Sequence, residues 1–112
     1  MESTRQQKVA RQIQKDMGDI FLKEGAEFVR GAMVSVTKVR ISPDLASAKI
    51  YISVFPFEKA EQILESLTSH VSQIRKALGT RVRLQLRIVP ELFFYIDDSL
   101  EYVENIERLL KD

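Results

Sequence analysis

Hydrophobic positions change their period several times along the chain, and each change marks an element. Over residues 5–24, Val9, Ile13, Met17, Ile20 and Phe21 recur mostly at steps of three and four, which predicts a helix with one buried stripe, stopped by Gly25. Arg5, Lys8, Arg11 and Lys15 fall on a different sector, centred more than about 100° from the apolar one at about 3.6 residues per turn. The open side of this helix is therefore basic.

Residues 31–41 and 46–55 are rich in β-branched types and are separated by Ser42, Pro43 and Asp44, so they predict a β-hairpin. In its second strand Ala48, Ile50, Ile52 and Val54 alternate with Lys49, Tyr51 and Ser53, leaving one face buried and the other wet. In its first strand the phase slips between the pair Val34, Val36 and the pair Val39, Ile41, which predicts a bulge near Lys38.

Pro56 can open a second helix, in which Ala60, Ile63, Leu64, Leu67, Val71, Ile74 and Leu78 hold helical spacing as far as Gly79. Its polar side begins acidic (Glu58, Glu61, Glu65) and ends basic (Arg75, Lys76), the order that the helix dipole favours. Ser69, His70, Val71 and Ser72 are weak helix formers and predict a kink midway. Over residues 81–89, Val82, Leu84, Leu86 and Ile88 alternate with Arg81, Arg83, Gln85 and Arg87, which predicts a third strand with three arginines in one outward row. Pro90 interrupts the ladder, and residues 92–96 can resume it beyond a bulge. Asp98 and Glu101 form a capping-box pair for a last helix, whose apolar side is Tyr102, Val103, Ile106, Leu109 and Leu110.

The order is helix, strand, strand, kinked helix, strand, helix. A hairpin followed by a right-handed helical crossover into a third strand predicts an α+β domain, a three-stranded mixed sheet with helices on one face. At 112 residues, without repeat, low-complexity tract or linker, the chain is expected to form a single domain over 1–112. Hydrophobic residues make up 45% of it, enough for a core without disulfide or metal staples. The absence of cysteine excludes a disulfide framework, a thiolate zinc site and a cysteine nucleophile. A polar N-terminus and the lack of a long apolar run lead to the expectation of a cytoplasmic protein.

The net charge of +1 argues against a partner selected by bulk charge, yet the charge is unevenly spread. Residues 1–40 carry +3, 41–65 carry −2, 66–90 carry +5 and 91–112 carry −5. Arginines on an open strand face are often merely solvated, since exposed pairs contribute little. Two basic stripes far apart in sequence favour contact with a polyanion backbone.

Catalytic chemistry has few candidates. His70, the only histidine, lies at the edge of an apolar helical face and suits a structural role better than that of a general base. Asp97 and Asp98 sit at a helix entry, where adjacent acids usually cap. Glycines 18, 25, 31 and 79 form neither a phosphate loop nor the Gly-x-x-Gly loop with which ordinary KH domains clamp a single strand. Phe93, Phe94 and Tyr95 could stack bases, but an aromatic cluster after a core strand more often packs.

Several stretches together resemble the ribosome-binding factor A family of bacterial small-subunit assembly factors. The most specific are Ile74-Arg75-Lys76-Ala77-Leu78-Gly79, Leu86-Arg87-Ile88-Val89-Pro90-Glu91-Leu92-Phe93-Phe94 and Asp97-Asp98-Ser99. Arg5-Gln6-Gln7-Lys8-Val9 and Val39-Arg40-Ile41-Ser42-Pro43-Asp44-Leu45 add support. The resemblance implies a KH-like fold of type II, binding to free 30S subunits late in maturation, and help with 5′-end processing of 16S rRNA and cold adaptation, without catalysis or cofactor. It departs from the family where Ala-x-Gly commonly kinks the helix, since His70-Val71-Ser72 stands there instead.

The expected rRNA contacts are Arg5, Lys8, Arg11 and Lys15 on the first helix and Arg75, Lys76, Arg81, Arg83 and Arg87 around the third strand, all to the backbone. Removing Arg81, Arg83 and Arg87 is expected to weaken binding and leave stability nearly unchanged. A monomer is expected, with no DNA or membrane partner. The rival from another class is a small interaction or regulatory domain docking a protein through its open sheet face. A hydrolase built on His70 is the third reading.

Overall fold

The structure, a computed structural model, describes residues 3–29, 31–82, 86 and 88–97. The predicted last helix lies outside the described residues, as do Arg83 and Arg87.

Helix α1 spans Thr4–Lys23. It starts at a capping box in which the Ser3 hydroxyl accepts from the Gln6 amide at 3.1 Å and Gln6 Oε1 accepts from the Ser3 amide at 2.8 Å. It stops before Gly25, where a Cβ would collide with the Phe21 carbonyl. A single turn, α2 (Ala26–Val29), leads into strand β1 (Met33–Ile41), which pairs antiparallel with β2 (Ser47–Phe55). The predicted hairpin is thus present, and its register shifts between Val36 and Lys38, where the phase slip places the bulge. Asp44 holds the turn: its Oδ1 accepts from the Ser42 hydroxyl at 2.7 Å and from the Ala46 amide at 3.1 Å.

After a short 3₁₀ turn (Phe57–Lys59) come α3 (Ala60–Ser69) and α4 (Val71–Val82), parted at His70. The kink persists without glycine because the Ser66 carbonyl is contested. It accepts from the His70 amide at 3.0 Å and the Ser69 hydroxyl at 2.9 Å, and His70 Nδ1 lies 2.8 Å from it.

The third strand departs from expectation. It is β3 (Glu91–Ile96), while Arg81 and Val82 form the last turn of α4 and the Leu86 amide donates to the Val82 carbonyl at 2.9 Å, a helical rather than a ladder bond. Two periods overlap in this stretch. Ile74, Leu78, Val82 and Leu86 continue the four-residue series of the helix and are all buried, whereas Ile88, expected to point inward, is 75% exposed. Gly79 does not end the helix. A Cβ there would stand 3.0 Å from Val89 Cγ2, so the glycine admits the returning chain.

β3 lies parallel to β2, from Ser47 opposite Glu91 to Ile52 opposite Ile96, giving a mixed sheet in the order β1-β2-β3. The fold is α+β and KH-like, with the strand–helix–helix–strand unit β2-α3-α4-β3 behind a first helix and strand. α1 packs on β1 and α4, and α3 on β3. Ile13, Met17 and Ile20 meet Ile50, Ile52, Ile63, Leu67, Ile74 and Leu78 in one core, none more than 1% exposed. Each contributes on the order of 1.5–3 kcal/mol by leaving water. The described helices therefore all cover one face of the sheet.

Candidate nucleic-acid interface

The core stripe of α1 dictates where its cations go. With Ile13, Met17 and Ile20 turned to the sheet, Arg5, Lys8, Arg11 and Lys15 all emerge exposed on the outer side, at steps of three and four residues. At a rise of about 1.5 Å per residue they form a line about 15 Å long. Because α1 packs against α4, the two basic segments lie on neighbouring helices. Arg5 and Arg75 line a single open cavity of about 600 Å³, and Lys8 lines a smaller one against Val82 and Leu86. Asp44 and Glu91 share the larger cavity. The Ser42 hydroxyl, and then the Ala46 amide, hold the Asp44 carboxyl below its usual range, so it stays ionised and committed to the turn.

The remaining candidates divide. Lys76 is exposed on α4. Arg75 is half-buried: its guanidinium donates to the Val89 carbonyl at 2.7 Å and its Nε to the Pro90 carbonyl at 3.1 Å, clamping the chain as it enters β3. Arg81 belongs to no strand row. It donates to Asp19 Oδ2 at 2.5 Å and to Glu24 Oε2 at 2.8 Å, tying the end of α4 to the end of α1. Its removal therefore affects the helix packing as well as the charge, against the expectation of unchanged stability. Glu24, then Asp19, raise the affinity of Arg81 for its proton; Arg81 in turn lowers the pKa of Asp19, against partial desolvation.

His70 has a structural setting. Its ring centroid is 5.2 Å from that of Phe28, tilted by 52°. Since a carbonyl only accepts, the contact with Ser66 selects the tautomer protonated at Nδ1. No group of three or more His, Cys, Asp or Glu residues that could hold a metal occurs among the described residues. Nor is any helix among them long and apolar enough to cross a membrane.

Beside the kink, Thr68, Val71, Ser72 and Arg75 face β3 across a groove of about 470 Å³. The aromatic cluster that the sequence presents as one unit is split by the pleat. Phe94 is buried at 8% exposure, while Phe93 and Tyr95 stand open at 43% and 42% on the face that no described helix covers. Tyr51 lies beside Tyr95 there, with centroids 5.5 Å apart and planes at 27°, and the Lys38 ammonium sits 4.5 Å above the Tyr51 ring. In the sequence, Lys49, Tyr51 and Ser53 read only as a wet face. The parallel pairing of β2 with β3, which aligns Tyr51 with Tyr95, is not legible when the third strand is sought at residues 81–89.

Comparison with known proteins agrees with this architecture. The family model for ribosome-binding factor A matches residues 5–110. The ribosome-binding factor A of Flavobacterium psychrophilum is 50% identical over 111 residues, covering 98% of this chain and 85% of the relative. That of Cytophaga hutchinsonii is 47% identical over 110 residues, covering 98% and 83%. In fold, the chain is similar to the crystal structure of ribosome-binding factor A from Thermus thermophilus, with a TM-score of 0.69 and 21% identity over 81% of this chain and 94% of that one. It is also similar to a homology model of the Thermus thermophilus factor fitted into a cryo-EM map of its complex with the 30S subunit, with a TM-score of 0.57 and 23% identity over 88% and 97% of the two chains. With near-complete coverage by relatives of such identity and a family model spanning almost all of its length, the chain belongs to the ribosome-binding factor A family.

Proposed function

We propose that this protein binds the free 30S ribosomal subunit in the cytoplasm and assists late maturation of 16S rRNA, including processing of its 5′ end and maturation in the cold, without catalysis and as a monomer. The observation that supports it most is the pairing of family membership with a line of exposed cations on α1 that adjoins α4. Arg5, Lys8, Arg11, Lys15 and Lys76 are the free-facing phosphate contacts; Arg75 and Arg81 add positive potential from fixed positions, and Arg83 and Arg87 extend the set. Such contacts orient the protein on folded rRNA without reading its sequence. A binder that prefers one rRNA conformer shifts the folding equilibrium toward it by its difference in affinity, so no bond need be made or broken.

Sedimentation of cell extract tests the reading. The tagged protein should migrate with free small subunits, and its deletion should leave 16S rRNA with unprocessed 5′ ends, most of all in the cold. Absence from every ribosomal fraction would refute it.

A further inference from the structure

The face of the sheet that no described helix covers carries an arrangement that the cationic helix does not use. Strand alternation sends Lys49 and Tyr51 of β2 and Phe93 and Tyr95 of β3 to the same side, and the register sets Phe93 beside Lys49 and Tyr95 beside Tyr51. Across β1, Lys38 pairs with Tyr51. Two tyrosine rings already lie nearly parallel, a third aromatic ring follows one strand position pair away, and ammonium groups flank the row. Among the described residues, the acids on this side are Glu91, at the far end opposite Ser47, and Asp97, which accepts from the Thr37 hydroxyl at 2.6 Å. A row of rings edged by cations, with Phe93 and Tyr95 exposed and Tyr51 partly so, is complementary to a ligand with flat π-faces on an anionic backbone.

We propose that this face is a second RNA-contacting surface, a stacking platform for two or three unpaired bases of single-stranded RNA, in which Tyr51, Tyr95 and Phe93 take the bases and Lys38 and Lys49 meet the phosphates. Sheet surfaces with exposed aromatics stack bases in this way in other RNA-binding modules. The platform adjoins the groove beside the helix kink, which Phe93 and Tyr95 also line, so a strand leaving the platform has a path along β3. The choice of RNA as ligand rests on the proposed function. The two surfaces, α1 outside the helical layer and the platform beyond the sheet, would let one protein hold a structured rRNA element and a neighbouring unpaired segment together.

The test uses the full chain with a labelled eight-nucleotide oligouridine and a short RNA duplex. Tyr51→Leu and Tyr95→Leu should each weaken oligouridine binding by about five-fold or more, since a stacked base is worth about 1–3 kcal/mol, while duplex binding stays unchanged. Tyr95→Phe, which keeps the ring, should bind like the wild type. The protein has no tryptophan and three tyrosines, two of them in the platform, so oligouridine should also quench its tyrosine emission. Equal oligouridine affinity in wild type and both leucine variants, with their unfolding transitions intact, would overturn the platform and leave the proposed function standing. So would loss of 30S binding by the leucine variants without loss of oligouridine binding, which would assign the face to a protein partner. Failure of the proposed function itself would appear separately, as absence of the protein from small-subunit fractions.

Discussion

Gln6 shows how much one side chain can carry without announcing itself in a hydrophobic pattern. It is buried at 8% exposure within the first turn of α1, where Oε1 caps the Ser3 amide and Nε2 donates to the Ile41 carbonyl at 2.9 Å. The helix start is thereby fastened to the end of β1, and the line of cations that begins at Arg5 is set at a fixed angle to the sheet. Gln6→Ala should cost about 1–3 kcal/mol in urea denaturation, because a buried carbonyl loses its donor along with the cap. A change within a few tenths of a kcal/mol would mean that the bond to Ile41 contributes nothing. The Ser-x-x-Gln signature of the cap is present in the sequence; the long-range half of the role is not, since nothing local ties residue 6 to residue 41. The same limit applies to Arg75 and Arg81. Their charge is plain in the sequence, but their carbonyl and carboxylate partners lie 14 or more positions away.

At the scale of elements, local pattern succeeds wherever one period dominates. The α1 stripe, the hairpin and its bulge follow from residue spacing, and the kink at His70 follows from a run of weak helix formers. The third strand is misplaced because Val82 and Leu86 satisfy helical and strand spacing alike, and the longer alternation around them is the more conspicuous. Pairing of the strand at residues 91–96 with β2 is a long-range event that the segment does not encode by itself. Placing Arg81 on α4 instead of on a strand turns it into the link between helices, with a consequence for pH. Asp19 is held below its ordinary value of 3.8 in the folded state, chiefly by Arg81. Its contribution is therefore complete above that value and is lost as pH falls through the lowered one. Asp19→Asn should lower the thermal midpoint slightly at neutral pH, and the difference from wild type should close as pH falls through the lowered carboxylate value. A gap that stays constant from neutral pH to about pH 2 would show that the carboxylate charge is not what Asp19 contributes.

Over the whole molecule, a charge near zero conceals a working asymmetry. The core draws α1 and α4 together on one side of the sheet, so cations from residues 5–15 and from residues 75–76 gather at neighbouring surfaces, while the opposite side of the sheet offers rings. The sequence makes the first surface visible, because helical spacing alone separates Arg5, Lys8, Arg11 and Lys15 from the apolar stripe. The second emerges only from the register, which sorts Phe93, Phe94 and Tyr95 into two exposed rings and one buried ring. The central claim is that the α1 cations grip rRNA phosphates, and the salt dependence of binding to purified 30S subunits tests it most directly. Replacing Arg5, Lys8, Arg11 and Lys15 with glutamine, which keeps helix propensity, should weaken binding at low salt. It should also flatten the slope of log affinity against log salt by about 3, at about 0.7–0.9 per phosphate released. A variant with the wild-type slope and affinity would contradict the account.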